Sequence, residues 1–400
     1  MNSSSRVLWI RVWGIAALQG AITLSWVVYN LYLPIFLVQL GLSHQVAIAI
    51  LVGENALEAL IEPFFGRFSD RQQKSFGSRI PIITIGIVLS SAIFISIPSL
   101  IIFDSNNVIS KWLFPLLVVA WACAMAIFRS PAMAMLGRCA NPSQLPMAAI
   151  ALTLVGSVIG ALRFDAYGLI LQMGAGFAFA IGSFSLIVAG VILRRLNPPE
   201  APKVVESNSQ PLSKSRFGLI FITGMLVGWG MRFLIPTVKQ TLALQVSEEG
   251  IKIAMTIFFL VLGLSAIPAG KIGTKLGNSL GMMWGCVILI ISMIFLVFTP
   301  SSNLEYVAIA FLILGFSLVL NGAVPYALSL ASSSHSGFGV GMYFGGLNLG
   351  ISLFAFISDR LGKTNIYSGT IGAVISFSLV LFCLFVANKF LRKDLPAIAS

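Results

Sequence analysis

Three carboxylates stand four residues apart in an otherwise apolar stretch: Glu54, Glu58 and Glu62, in Glu54-Asn-Ala-Leu-Glu58-Ala-Leu-Ile-Glu62-Pro-Phe-Phe-Gly66. Steps of four on a helix advance about 40° past a full turn, so the three side chains share one stripe, about 6 Å apart along the axis. An ionised carboxylate near the centre of a bilayer costs roughly 2.5–3.5 kcal/mol even on the milder insertion scale. Three on one face also repel one another. Such a stripe is tolerable only when it faces the interior of a helix bundle and is neutralised by protons, a bound cation or an arginine. Arg129, deep in a later apolar stretch, is the natural partner. Counted by helical rise from Lys111 it sits about 27 Å into its span, near the depth of Glu62. The set reads as a cation or proton site. Glu58 and Glu62 are its ligands or proton acceptors, Glu54 titrates near a solute, and Arg129 exchanges partners. Three acids against one base are too lopsided for structural pairing alone.

Composition says what holds this stripe. The chain of 400 residues is 58% hydrophobic and only 10% charged, with a mean hydropathy of +0.97. A soluble domain carries about a quarter charged residues, because its surface must meet water. The 25 Lys+Arg and 13 Asp+Glu are too few to coat a soluble protein of 42.9 kDa. The chain is therefore expected to be integral to a membrane, and its long, unalternating apolar runs read as helices and not as barrel strands. The net charge of +12 does not point to nucleic acid, because the basic residues lie between apolar stretches and not clustered on a folded face. Cys123, Cys139, Cys286 and Cys383 show no CxxC or Cys/His spacing, so neither a disulfide framework, a metal centre nor a cofactor is expected. Met1 to Arg11 leads straight into an apolar stretch too long for a cleaved signal peptide. The partners expected are the lipid bilayer, a small solute and a coupling cation, with the protein acting as a monomer.

Twelve apolar stretches are long enough to cross a bilayer, among them 12–38, 45–66, 112–137, 145–167, 217–240, 250–270, 305–330 and 338–358. The one long hydrophilic stretch, 194–216, divides them into an N-terminal half (1–193) and a C-terminal half (217–400) of six spans each. With both termini on the cytoplasmic side, seventeen Lys and Arg fall inside, Arg6 and Lys203 among them, and seven fall outside, among them Lys363. This bias predicts cytoplasmic termini in a bacterial inner (plasma) membrane. The halves also repeat. Gly66-Arg-Phe-Ser-Asp70-Arg71 after span 2 is echoed by Gly270-Lys-Ile-Gly-Thr274-Lys275 after span 8, and paired halves of this kind are transporter organisation. Gly156/Gly160, Gly224/Gly228 and Gly341/Gly345 are spaced for close helix packing.

At these motifs the sequence resembles the major facilitator superfamily. Gly66 to Pro81 looks like its signature between helices 2 and 3, with Gly66, Asp70, Arg71 and Arg79 as the gating loop. The resemblance implies an all-α polytopic fold of twelve transmembrane helices in two pseudo-symmetric six-helix halves, and a transporter, not an enzyme. It also implies that Asp70 and the basic residues pair with neighbouring helix ends and tune the conformational switch. Glu58-Ala-Leu-Ile-Glu62-Pro63-Phe-Phe-Gly66 is similar to the glycoside-pentoside-hexuronide cation symporters, in which two acids four apart serve the coupling cation. Ala323-Val-Pro-Tyr326-Ala-Leu and Gly341 to Leu349 look like the sucrose-transporter branch. The chain departs from that branch in span 4: Met133 stands where the branch carries Arg, Arg138 where it carries Asp, and Arg129 precedes Pro131 by two residues.

The resemblance implies a secondary transporter moving a sugar or glycoside with H⁺ or Na⁺. A sugar needs aromatic platforms with fixed amide and charged groups, for which Trp26, Tyr29, Asn30, Trp121, Arg232, Asn321, Tyr326 and Asn348 are candidates, with Tyr343 beside them. Arg163 and Asp165, placed in span 5 near the outer surface, read as a structural or gate pair. Two alternatives stand: a proton-coupled exporter of amphipathic compounds, expected to have a greasy cavity, and a non-transporting sensor or assembly factor, expected to lock its glutamates onto Arg129 away from any cavity.

Overall fold

The computed structural model describes residues 7–104, 108–197, 213–298, 303–362 and 364–393. The middle of the 194–216 stretch lies outside them, as do Arg6, Lys203 and Lys363 of the charge count. Among the described residues the chain is helical throughout, without strands. The N-terminal half comprises α1 (Trp9–Gln39), α2 (His44–Phe76), α3 (Ile80–Ser96), α4 (Ser99–Asp104), α5 (Val108–Ala134), α6 (Leu145–Ala161), α7 (Tyr167–Gln172) and α8 (Ala175–Leu196). The C-terminal half comprises α9 (Lys214–Leu242), α10 (Glu248–Leu264), α11 (Ala266–Leu276), α12 (Asn278–Phe298), α13 (Asn303–Leu330), α14 (Ser336–Leu361) and α15 (Ile366–Lys393). Eleven spans among the described residues are apolar and long enough to cross a membrane, with α3–α4 and α10–α11 each counting as one. At 33 residues, about 50 Å, α2 is also long enough, and it carries the glutamate stripe. Leu60 and Phe64 on its outward side are 72% and 65% exposed, as a lipid-facing surface requires.

Three local expectations need correction. Gly66 to Pro81 is not a loop from end to end, because α2 continues to Phe76. Nothing breaks the helix before Gly77, which ends it in the left-handed conformation at φ 70°. Arg163 and Asp165 do not lie in a membrane helix either: α6 stops at Ala161, and both residues occupy the turn that follows. Span 8 is broken at Ser265, where Pro268 in the first turn of α11 cannot donate back to Leu264.

The sequence repeat returns as a contact. A Cβ on Gly66 of α2 would strike the Gly337 carbonyl of α14, and one on Gly270 of α11 would strike Ile150 and the Pro146 carbonyl of α6. The second span of each half thus packs on the fifth span of the other, and the repeated glycine makes a tight contact in each pair. Both seams carry contacts at both ends. On α2–α14, Asp70 meets Gly337 at one end and His44 lies 3.7 Å from Asp359 at the other. On the second seam, Gly273 abuts Pro146 of α6, and at the far end Arg163 lies 4.7 Å over the ring of Phe259 on α10.

Helix α14 is held on two sides. Gly337, Gly341 and Gly345 meet the α2 backbone from Gly66 to Ala59, while Gly346 and Gly350 meet the Phe221 and Met225 carbonyls of α9. In return Gly224 and Gly228 of α9 sit under the Tyr343 and Leu347 carbonyls. This is backbone-to-backbone packing that leaves no room for a side chain. Gly224→Val should therefore cost about 1–3 kcal/mol by overpacking and lower the melting temperature of the purified protein. An unchanged melt would show that α9 and α14 part easily.

Candidate functional site

The glutamate stripe faces inward and meets Arg129. Glu62 Oε1 accepts from Arg129 Nε at 2.5 Å, and Glu58 Oε2 accepts from a second guanidinium nitrogen at 3.5 Å. Glu58 and Glu62 are about 1% and 0% exposed, and the Arg129 side chain 12%. Pro131 sits two residues beyond Arg129, and Ser130 Oγ donates to the Glu62 carbonyl at 3.4 Å, which pins α5 against α2. Across the seam, Asn348 Nδ2 of α14 donates to the same Glu58 oxygen at 2.7 Å, and the Arg129 guanidinium lies 5.0 Å from the ring centre of Phe344. The acids of one half are thus tied to the other half at mid-helix. Glu58 Oε1 and Glu62 Oε2 are buried with no protein hydrogen-bond partner. Two carboxyls share one guanidinium here, so with both ionised the cluster carries one negative charge more than the arginine balances.

Glu54, also 1% exposed, is separate from the arginine and accepts from the Tyr29 hydroxyl at 2.7 Å. Tyr29 belongs to an aromatic block in which Trp26, Tyr29 and Trp121 lie 4.8–5.5 Å apart between ring centres. Phe94 stacks on Trp121 at 4.8 Å. The indole N–H groups of Trp26 and Trp121 are both buried without a hydrogen-bond partner. Trp26, Tyr29, Trp121 and Glu54 therefore come together as the sequence suggests, with Trp121 fully buried.

The remaining solute candidates do not join them. Asn30 is exposed and donates to the Trp26 carbonyl of its own helix. Asn321 donates to the Pro146 carbonyl at 2.8 Å and takes a 3.3 Å bond from Thr153, so it ties α13 to α6 across the halves. Tyr326 is buried inside the C-terminal half, 3.1 Å from the Thr223 hydroxyl. Arg232 is exposed and lies 5.6 Å over Phe354. Asn348 touches Glu58 instead of the aromatic block.

At the basic end of α2, Asp70 caps α14. Its two oxygens accept from the Gly337 and Phe338 N–H groups at 2.8 Å each, where the helix N-terminus favours negative charge. Arg79 holds the same carboxylate at 2.5 Å and reaches Ser336 of α14 at 2.8 Å. Asp70 and Arg79 lie beyond the apolar part of their spans. Burial raises the Asp70 carboxyl above its ordinary value, against the pull of Arg79 and the two amides, and burial lowers Arg79, against the pull of Asp70. Arg71 is exposed and takes no part.

Three participants escaped the sequence. Phe344 over Arg129, Phe94 on Trp121 and Thr153 on Asn321 are ordinary membrane residues whose types carry no signal of the contact they make. Cys123, half-buried on α5, lies near Glu58 and Glu54.

The description of the Major Facilitator Superfamily matches residues 220–399. No curated protein matches the chain by sequence. Solved structures match it over nearly its whole length. The transporter FucP, in an outward conformation, superimposes with a TM-score of 0.72 at 12% identity, covering 96% of this chain and 99% of that one. A bacterial homologue of the iron transporter ferroportin, in its outward-facing state, gives 0.69 at 13% over 97% and 99%. The human organic anion transporter MFSD10 gives 0.65 at 13% over 97% and 100%. The narrower resemblance to the glycoside-pentoside-hexuronide symporters gains no support from these matches. The chain has the major facilitator fold, and residues 220–399 are similar in sequence to the Major Facilitator Superfamily.

Proposed function

We propose that the whole chain is a major facilitator secondary transporter that couples a small polar solute, a sugar or glycoside, to H⁺ or Na⁺ by alternating access. The observation that carries this reading is the Glu58–Glu62–Arg129 cluster, buried on the seam between the halves and bonded across it by Asn348. Rocking the halves apart disturbs that bond, so cation occupancy and access are mechanically joined. The partnerless carboxylate oxygens of Glu58 and Glu62 supply acceptors for a proton or a cation. The block of Trp26, Tyr29 and Trp121 beside Glu54 supplies an apolar platform with indole donors and a carboxylate, chemistry that suits a hydroxylated ring. The exporter alternative fits this less well, since an acid and two free indole donors stand among the rings. Both termini are placed on the cytoplasmic side of a plasma membrane, on the bias of the basic residues.

A second reading, a non-transporting sensor or assembly factor, is favoured by the complete burial of Glu58 and Glu62 on Arg129. One experiment separates the two. Purified protein in liposomes is given a panel of labelled sugars and glycosides under separate Na⁺ and pH gradients. Gradient-driven accumulation of at least one solute is the expected result. Retention of no solute under either gradient, by protein that is folded and correctly inserted, retires the transport reading.

A further inference from the structure

Among the described residues Glu58 is the stripe acid whose carboxyl both halves hold, and the residue by which the C-terminal half holds it is Asn348. This amide is 2% exposed and donates at 2.7 Å to Glu58 Oε2, the same oxygen that faces Arg129. One turn away along α14, Ser352 Oγ donates to the Val52 carbonyl of α2 at 2.9 Å, so the register between the two helices is fixed on this side as well. The groups that face Glu58 are Glu54 and Glu62 on its own helix and Arg129 and Cys123 on α5, with Tyr29 of α1 on Glu54. From α14 the polar contact is Asn348 alone among the described residues, and it carries no charge.

We propose that Asn348 is a positioning residue that reads the charge of Glu58 across the seam: its amide bond to Glu58 holds α2 and α14 together while the acid is ionised and loosens when the acid is neutralised. The inference rests on the reading of Glu58 as the coupling acid. An amide donates more strongly to an ionised carboxylate than to a neutral carboxyl oxygen. A proton or cation taken up at the partnerless Oε1 removes that advantage, and it also eases the pull of Glu58 on Arg129, whose guanidinium lies over Phe344 of the same helix as Asn348. The closed seam is then weakened at its midpoint, between the Asp70 cap at one end and Ser352 beyond. In this scheme Asn348 does not bind the solute, which corrects its place among the solute candidates. It is the link by which loading reaches the C-terminal half.

Cys123 is the built-in reporter, since it is half-buried next to the acids while Cys139, Cys286 and Cys383 are buried. Full-length protein carrying Cys139→Ala, Cys286→Ala and Cys383→Ala is placed in liposomes and labelled at Cys123 with N-ethylmaleimide at one fixed pH, with and without Na⁺. Asn348→Leu, which fills the same space without a donor, should label at least about tenfold faster than the parent, the factor expected when a charge-assisted bond is lost. Glu58→Gln, permanently neutral, keeps only a weaker acceptor and should also label faster than the parent, and the two substitutions together no faster than Asn348→Leu alone, because both act on one and the same bond. Asn348→Gln keeps a donor and should restore the slow rate, which a mere packing defect would not allow. Labelling of Asn348→Leu at the parent rate overturns the proposal, and so does a double variant whose acceleration is the product of the two singles. The measurement needs no solute. A parent protein that labels as expected yet accumulates nothing in the uptake panel sinks the transport reading and leaves the bond standing.

Discussion

Arg129→Ala is expected to lose most of its folded protein. The substitution strands Glu58 and Glu62 in a region where they are 1% and 0% exposed, with no other cation among the described residues within bonding distance. Removing one partner of a buried ion pair costs about 3–5 kcal/mol, because the remaining charge keeps its desolvation penalty. A typical domain has only about 5–15 kcal/mol of stability to lose. The cation–π contact with Phe344 goes too, and with it one of the links between the halves. Arg129→Lys should recover only part of the loss, since a single ammonium does not reproduce a fork that serves two carboxylates on successive turns. Adding Glu62→Gln to Arg129→Ala should restore folded yield in part, as Glu62 is the closer partner at 2.5 Å. Yield and melting temperature of the detergent-purified protein check this. A double variant no better than Arg129→Ala alone argues against direct pairing, and an Arg129→Ala protein as stable as the parent removes the pair from the account of stability.

The stripe on α2 was legible because a bilayer makes every buried charge conspicuous: three glutamates at one spacing could face only inward, and the depth count brought Arg129 to Glu62. The helices were legible for the same reason, since apolar length alone separates membrane spans from what joins them. What the sequence hid was the partner across the seam. Asn348 and Asn321 are the same residue type in neighbouring spans of the same half, yet one bonds Glu58 and the other the Pro146 carbonyl. Which face of α14 meets α2 depends on the glycines at 337, 341 and 345 against those at 346 and 350, and a run of glycines does not announce which neighbour takes which set. The Gly66 to Phe76 extension was missed because charge reads as loop. Helix propensity there is ordinary, and Asp70 is buried by the α14 N-terminus, which only the assembled halves provide. Arg163 shows the reverse error: an apolar run continues past Ala161 while the helix does not.

Glu58→Gln should abolish uphill accumulation while leaving the protein inserted and folded. Glutamine has nearly the shape of glutamate, and its carbonyl still accepts from Asn348 and Arg129, so the fold keeps its contacts with a neutral acceptor in place of a charged one. What it cannot do is take up and release a proton or balance a cation. A membrane potential of 100 mV is worth about 2.3 kcal/mol per charge moved, roughly a fiftyfold concentration ratio. In the variant that ratio should fall to about one, while equilibration of solute down its own gradient persists. Glu54→Gln should differ in kind. Its carboxylate is held by Tyr29 within the aromatic block, away from the arginine, so its loss should raise the solute KM more than it lowers the accumulation ratio. Uptake in liposomes under an imposed ion gradient, with ratio and KM measured for both variants, resolves them. Undiminished uphill uptake in Glu58→Gln would place the coupling charge elsewhere. Glu62 is then the first group to test, because its second oxygen is buried without a partner as well.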